Sequence, residues 1–257
     1  MSAALLPALR HEKACEHMSI QLVRLIRREY VAEITMAVYI EKPEGFVYRA
    51  GQFADYTLID PPETDAEGNT RGFSFTSAPY EPNLRFTTRL RDTAFKRVVQ
   101  HLPDGSQVSM DAPYGSFTLH NNVAVPAVFL TGGIGITVVR SIVLEAVHKA
   151  VPRRIALFYA NHRPAEAAYV DELRQFAART PWFTCVPTMT RMDHSREEWT
   201  GETGRITQAM LERYLDDLTA PIYYITGPAS LVAAMRKTLN DAGVDDDNIR
   251  TEEFTGY

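Results

Sequence analysis

The rhythm of apolar residues changes near residue 125, and that change limits the fold more than any other feature of the chain. Before it, apolar and polar residues alternate in short segments. Ile20, Leu22, Arg24 and Ile26, then Ile34, Met36, Val38 and Ile40, put every second residue on one face, the mark of a half-buried strand. Further short strands are expected at 53–59, 71–76, 84–90, 106–111 and 116–119, separated by Gly, Pro and Asp turns. One helix is expected at about 94–101, and the turn-rich stretch 60–70 reads as an exposed loop. Short antiparallel strands with a single helix predict a closed antiparallel β-barrel over 19–125.

After the change the pattern is different. Residues 127–131, 155–160, 183–190 and 222–226 are continuous apolar runs, as expected of parallel strands covered on both faces. Helix patterns lie between and after them at 138–150, 166–179, 206–217 and 229–242. Alternating strands and helices predict an α/β domain with a parallel sheet over 126–257. Ligands of such a sheet bind at the carboxyl ends of its strands. Residues 1–18 read as a loose tail without the features of a signal peptide. A length of 257 residues suits this two-domain division.

Composition then removes whole classes of function. Lys plus Arg number 27 against 32 Asp plus Glu, a net charge of −5, so non-specific nucleic-acid binding is not expected. The two cysteines, Cys15 and Cys185, fall short of the four ligands of an iron–sulfur cluster and give no disulfide framework, which fits a reducing cytoplasm. The seven histidines, His120 and His162 among them, show no zinc-ligand spacing and read as surface or hydrogen-bonded residues. The apolar run around Val123–Leu130 is far shorter than the ~20 residues that span a bilayer, so no membrane insertion is expected.

Two segments carry chemistry. Thr131-Gly132-Gly133-Ile134-Gly135-Ile136-Thr137 follows a buried strand and precedes a helix. Glycines there let a ligand approach the backbone, and free N–H groups at the helix start suit a phosphate. It departs from the usual dinucleotide fingerprint, because Val138 stands where the third glycine belongs and Asn161-His162-Arg163 replaces the acidic ribose binder. The other segment is Arg71-Gly72-Phe73-Ser74-Phe75-Thr76-Ser77. Alternation puts Arg71, Phe73 and Phe75 on one face, where an arginine grips a phosphate and an aromatic stacks on a flat ring; an ordinary amphipathic strand has the same pattern.

Arg71, Phe73 and Ser74, the GGIGIT turn, the later Gly227-Pro228 and the closing Glu252 and Phe254 occur in this order. That series resembles the ferredoxin–NADP reductase-type flavoproteins over about residues 19–257. The resemblance implies an FAD-binding barrel followed by a nicotinamide-nucleotide domain. It implies that Arg71 pairs with the FAD pyrophosphate, that Phe73 stacks on the isoalloxazine and that Ser74 sits near flavin N5, with Gly72 between them. Thr88, Arg89 and Leu90, then Thr93 and Ala94, occupy the segment that adds flavin and pyrophosphate contacts, with Thr93 as the hydroxyl. Gly132, Gly133, Gly135, Ile136 and Thr137 would hold the pyrophosphate of the nicotinamide nucleotide, with Gly227 and Pro228 near the nicotinamide. Glu252 and a terminal aromatic, Phe254 or Tyr257, would close the flavin site.

The remaining expectations concern specificity and partners. Arg163, Arg191 and Arg205 follow successive segments of the second domain, in the region where relatives that use NADPH carry arginines around the 2′-phosphate. They favour NADPH over NADH. Arg85, Arg89, Arg91, Lys96 and Arg97 form a basic run against Asp92 alone, a docking face for a small acidic electron carrier, or else a set divided between FAD phosphates and solvent. The resulting expectation is a ferredoxin/flavodoxin–NAD(P)+ reductase-like enzyme that feeds electrons through FAD to ferredoxin or flavodoxin. A free flavin or quinone reductase, a reductase subunit of an oxygenase or dehydrogenase complex, and a redox-silent nucleotide-binding module are the alternatives.

Overall fold

The computed structural model describes residues 19–254. The expected tail over 1–18, Cys15 and Tyr257 therefore lie outside the described residues. The first domain is one antiparallel sheet of β1 (Ser19–Ala32), β2 (Thr35–Ile40), β3 (Phe53–Leu58), β4 (Thr70–Ser74), β5 (Leu84–Arg89) and β6 (Gln107–Tyr114), in the order β4-β3-β6-β1-β2-β5. Strand β1 pairs with β6 over its first half and with β2 over its second, and a register shift between Leu25 and Arg27 marks the change. Such a bulge bends a strand and curls its sheet. The expected barrel is present as this curled sheet. Its edge strands β4 and β5 form no ladder, and the N–H groups of Thr76 and Ser77 bridge them by donating to the Arg85 carbonyl at 2.7 and 3.3 Å.

Helix α1 (Ala94–His101) plugs the barrel with Phe95, Val98 and Val99 against Tyr56, Phe75 and Phe86. One expectation fails at β1. Ile20, Leu22 and Ile26 face solvent at 73%, 63% and 38% exposure, while Val23 and Leu25 enter the core. Both sets are partly apolar, so alternation identified the strand but could not choose its inner face. Residues 116–119 form no strand; Phe117 packs instead against the second domain.

The second domain is a parallel sheet in the order β10-β9-β8-β7-β11-β12. Its strands are β7 (Ala127–Gly132), β8 (Ile155–Asn161), β9 (Phe183–Met189), β10 (Glu202–Thr203), β11 (Ile222–Gly227) and β12 (Ile249–Glu253). Helices α2 (Ile136–His148), α3 (Val170–Arg179), α4 (Gln208–Tyr214) and α5 (Ala229–Asp241) cover it. Strands run outward from β7 in one direction and continue from β11 in the other, so the topological switch point lies between β7 and β11. A ligand crevice opens at the carboxyl ends of strands at such a point.

Helix α2 clamps the domains together. Arg140, 2% exposed, donates to the Thr76 carbonyl at 2.8 Å and to the carboxylates of Glu81 at 2.9 Å and Glu172 at 2.7 Å. The Ser141 hydroxyl donates to the Ser77 carbonyl at 2.6 Å. These bonds fix the segment just after β4, and so the end of β4, against the second domain.

Candidate active site

Arg71 leaves β4 beneath the loop 60–70. Its guanidinium donates to the carbonyls of Glu67, Gly68 and Thr70 at 3.0, 3.0 and 2.8 Å, and pairs with Asp65 at 2.8 Å. The other Asp65 oxygen accepts the N–H of Ala94, the first residue of α1, at 3.1 Å. Desolvation pushes Asp65 upward, but hydrogen bonds from Arg71 and from the N–H groups of Glu67 and Ala94 hold it below the usual carboxylate range. One oxyanion thus sits between an arginine and a helix N-terminus, the donor set that also suits a phosphate. Thr93 caps α1 by accepting the Lys96 N–H at 3.4 Å, which leaves its O–H proton free to donate to an anion at the same place.

Phe73 shares this face of the strand. Its ring stacks on Phe86 with centroids 4.5 Å apart and meets Phe95 at 5.7 Å, so much of it is committed to the barrel core. Ser74 is buried at the end of β4, and Gly72 leaves room for the Asp55 carboxylate, which lies 3.0 Å from where a Cβ would stand. On β5 Thr88 is buried, and after it the Leu90 N–H donates to the Ile34 carbonyl at 2.7 Å.

The switch point carries a row of polar side chains. Thr131 on β7, Thr226 on β11 and Glu252 on β12 are register partners across three neighbouring strands. The hydroxyls of both threonines and Oε2 of Glu252 are buried without a hydrogen-bond partner. Burial raises Glu252 to about 7. Orphaned polar atoms are costly in a packed interior and mark a place for a polar ligand. The backbone comes equally close. A Cβ on Gly135 would stand 2.6 Å from the Thr226 carbonyl oxygen, and one on Gly227 would stand 3.0 Å from that of Gly132. Gly133 adopts φ +54°, a conformation that favours glycine. Ile136 and Thr137 begin α2 and are buried, and Phe254 follows β12 with its N–H donating to the Gly227 carbonyl at 3.1 Å.

On the other side of the glycine turns lies a cleft of about 590 Å³. Gly132, Gly133 and Pro228 form part of its wall, and Arg89, Arg191 and Arg205 reach into it. Arg191 and Arg205 have no ion-pair partner among the described residues. Arg163, grouped with them by sequence, is not part of the cleft wall. Glu33 and Glu166 hold its guanidinium at 2.7 and 2.8 Å.

The expected basic docking face is also largely neutralised. Arg85 pairs with Glu81 at 3.3 Å, Arg89 with Glu166 at 3.3 Å, and Arg97 with Glu63 at 2.6 Å and with Asp92. Burial, then the neighbouring Arg91 and Arg71, pull Lys96 below the usual lysine range. Apart from Asp92, which lies within the run, the acids that neutralise it come from loops and from the second domain. Sequence reasoning gave no site role to Asp65, nor to Thr131 and Asn161, although it named both beside the glycine turn and at the end of the next strand; Asn161 lines the cleft. For the last two a usable signal was present: a polar residue at or next to the end of an otherwise apolar parallel strand.

Residues 129–237 match the family of oxidoreductase NAD-binding domains. Over 159 residues the chain is 33% identical to a component of the Na(+)-translocating NADH-quinone reductase of Klebsiella pneumoniae, covering 60% of this chain and 39% of that one. It is 25% identical to the glycine betaine monooxygenase reductase subunit of Chromohalobacter salexigens, over 92% of this chain and 64% of that one. The chain thus spans less than two thirds of these relatives. Among solved structures, a ferredoxin NADP+ reductase from Neisseria gonorrhoeae with bound FAD and NADP superposes with a TM-score of 0.75 at 19% identity, covering 91% of this chain and 98% of that one. The Amycolatopsis cytochrome P450 reductase GcoB gives 0.78 at 19% identity, covering 93% and 72%. The resemblance to the ferredoxin–NADP reductase-type flavoproteins holds: the two-domain fold is theirs, and the second domain matches an oxidoreductase nucleotide-binding family.

Proposed function

We propose that this chain, a two-domain protein of the ferredoxin–NADP reductase type, is an FAD-dependent oxidoreductase that takes reducing equivalents from NADPH or NADH and delivers them singly to an electron carrier. The observation that carries this reading is the switch point. There the buried row Thr131–Thr226–Glu252 lies behind two glycine turns, and Gly132, Gly133 and Pro228 of those turns line a cleft that Arg191 and Arg205, without ion-pair partners, also line. Bound FAD would supply the conversion between a two-electron donor and one-electron acceptors.

The residues divide the work as follows. Arg71, the Ala94 N–H and the Thr93 hydroxyl bind the FAD pyrophosphate in the place that the Asp65 carboxylate marks. Thr88, Arg89 and Leu90 build the adjoining wall with Gly72, and Ser74 presents its hydroxyl toward the reacting edge of the ring. Phe73 offers the flavin only the part of its ring that the core leaves open. Gly132, Gly133, Gly135, Ile136 and Thr137 receive the pyrophosphate of the nicotinamide nucleotide at the start of α2. Gly227 and Pro228 lie beside the nicotinamide, and Glu252 and Phe254 exclude water from the flavin. Arg191 and Arg205, without Arg163, bind a 2′-phosphate and favour NADPH.

The acceptor in this reading is a small acidic carrier such as ferredoxin or flavodoxin, the compartment is the cytoplasm, and no iron–sulfur cluster is carried. No described helix is long and apolar enough to cross a membrane. A second reading, the reductase subunit of an oxygenase, is favoured by the similarity over 92% of the chain to a monooxygenase reductase subunit. The deciding experiment reconstitutes the protein with FAD and adds NADPH anaerobically. Rapid bleaching, and cytochrome c reduction only when ferredoxin or flavodoxin is added, support the carrier reductase. A protein that takes up no FAD sinks both readings.

A further inference from the structure

A second cavity, of about 290 Å³, lies at the junction of the domains and has no part in the site above. One wall comes from Tyr48–Ala50 before β3 and from Thr118–Asn121 in the interdomain connection; the other comes from α2 and from Arg153 before β8. Arg153 is 2% exposed, and its Nε and Nη1 are buried without any hydrogen-bond partner. No described carboxylate lies within ion-pair reach of it or of Arg49, which faces the same cavity from the first domain. The one carboxylate of the wall, Glu145, pairs through Oε1 with Lys149 of the same wall at 2.6 Å, while its Oε2 is buried without a partner, so the wall carries three cations, Arg49, Lys149 and Arg153, against one carboxylate.

An unpaired buried guanidinium is among the least favourable groups a fold can carry. Its burial lowers the pKa of Arg153, yet an arginine keeps its charge throughout the accessible range. His120 cannot compensate it. The His120 ring is engaged by the Tyr224 hydroxyl at 2.8 Å and by the Val125 carbonyl at 3.0 Å, burial lowers its pKa, and an imidazole carries no negative charge in either form. The cavity therefore presents positive charge from both domains and, at about 30 Å³ per water, has room for roughly ten water-sized groups.

We propose that this junction cavity binds a small oxyanion, a carboxylate or phosphate group, held by Arg153 of the second domain and Arg49 of the first. Such a ligand would satisfy the buried guanidinium and cross-link the two domains at a distance from the nucleotide cleft. The proposal stands independently of the redox reading.

The test is thermal unfolding of the purified full-length protein, with and without added FAD, at fixed ionic strength, titrated separately with inorganic phosphate and with malonate. Either anion should raise Tm saturably, by roughly 5–10 °C at about a hundredfold excess over its Kd. The anion that acts at the lower concentration identifies the preferred group as phosphate or carboxylate. Arg153→Met should weaken the response by about 10- to 150-fold, the loss of a charge-assisted contact. Its Tm without anion should not fall, because the side chain removed has no partner. Arg49→Ala, at an exposed position, guards against a folding defect and should weaken the response by up to about fivefold. A double variant of Arg191 and Arg205 should keep it, which separates this site from the nucleotide cleft. No saturable response to either anion would mean that solvent alone fills the cavity and would overturn the proposal. An unchanged response in Arg153→Met would overturn it as well.

Discussion

Glu252 makes the sharpest prediction, because its environment converts into a pH dependence of known sign. Its carboxyl is raised by burial from 4.5 to about 7, and Oε2 has no hydrogen-bond partner. The folded state therefore holds a proton that the unfolded chain releases above about 4.5. Linkage fixes the sign: the stabilising contribution is full below about pH 4.5 and is lost as pH rises to about 7. At 1.36 kcal/mol per pH unit, the gap amounts to about 3 kcal/mol above pH 7, an upper limit for a carboxylate that water reaches in part. Glu252→Gln keeps the shape and removes the titration. The variant should match the wild type below pH 5 and exceed it at pH 8 by up to about 3 kcal/mol, or roughly 6–12 °C in Tm. Thermal unfolding of both proteins from pH 5 to pH 9 measures the difference. A Tm difference that stays constant with pH would refute the reasoning. In the FAD-loaded protein, the pH dependence of reduction by NADPH near pH 7 should flatten in the same variant.

Further expectations follow from the same geometry. Arg71→Ala should weaken FAD by roughly 1.5–3 kcal/mol, about 10- to 150-fold, measured by flavin fluorescence; an unchanged Kd removes Arg71 from the site. Arg191→Ala should cost NADPH one to two decades in kcat/KM and NADH little, and equal use of both nucleotides by the wild type defeats the assignment. Ser74→Ala should slow flavin reduction in stopped flow more than it weakens FAD, because the hydroxyl acts on the reacting geometry and not on ground-state affinity. Gly135→Ala would place a Cβ 2.6 Å from the Thr226 carbonyl and 2.7 Å from the Thr131 hydroxyl, so it should destabilise by about 1–3 kcal/mol in urea. A neutral effect would show that the turn relaxes.

The layout of this fold was legible where period alone decides it. Helix α1 falls at 94–101 and the parallel strands within a residue or two of the apolar runs, because both faces of those strands are covered and nothing else gives such runs. Period failed at β1, where Val23 and Leu25 compete with Ile20 and Leu22 for the inner face and only the three-dimensional sheet decides. The glycine turns were legible from their place between strand and helix. Their requirement for glycine rests on contacts between β7 and β11, almost a hundred residues apart in the chain. The polar row was not legible, because Thr131, Thr226 and Glu252 become neighbours only through strand order. Charge was read least well. The run Arg85–Arg97 looked opposed by Asp92 alone because Glu63 and Glu166 lie elsewhere in the sequence and Glu81 lies just before its first residue.

Partnering, and not the count of arginines, decides what each one does here. Arg140 binds two carboxylates and a carbonyl and holds the domains together; Arg163 binds two carboxylates and leaves the cleft wall; Arg97 is absorbed by Glu63 and Asp92. Fixing such groups requires an acid nearby, and the chain, at −5, has acids to spare. Arginines without an acid find other partners in places, Arg174 and Arg179 over aromatic rings and Arg250 on the Thr118 carbonyl. Arg191 and Arg205 at the nucleotide cleft, and Arg49 and Arg153 at the domain junction, have no acid and line cavities. Arg71 stands between the two classes. Its partners Asp65 and Glu67, at 2.8 and 3.0 Å, sit on a polar surface loop, so an entering phosphate takes the place of carboxylates that can turn to solvent. A net acidic chain can bind anions in this way because attraction over a few ångströms depends on local pairing, while the overall charge is screened beyond about 10 Å at ordinary salt.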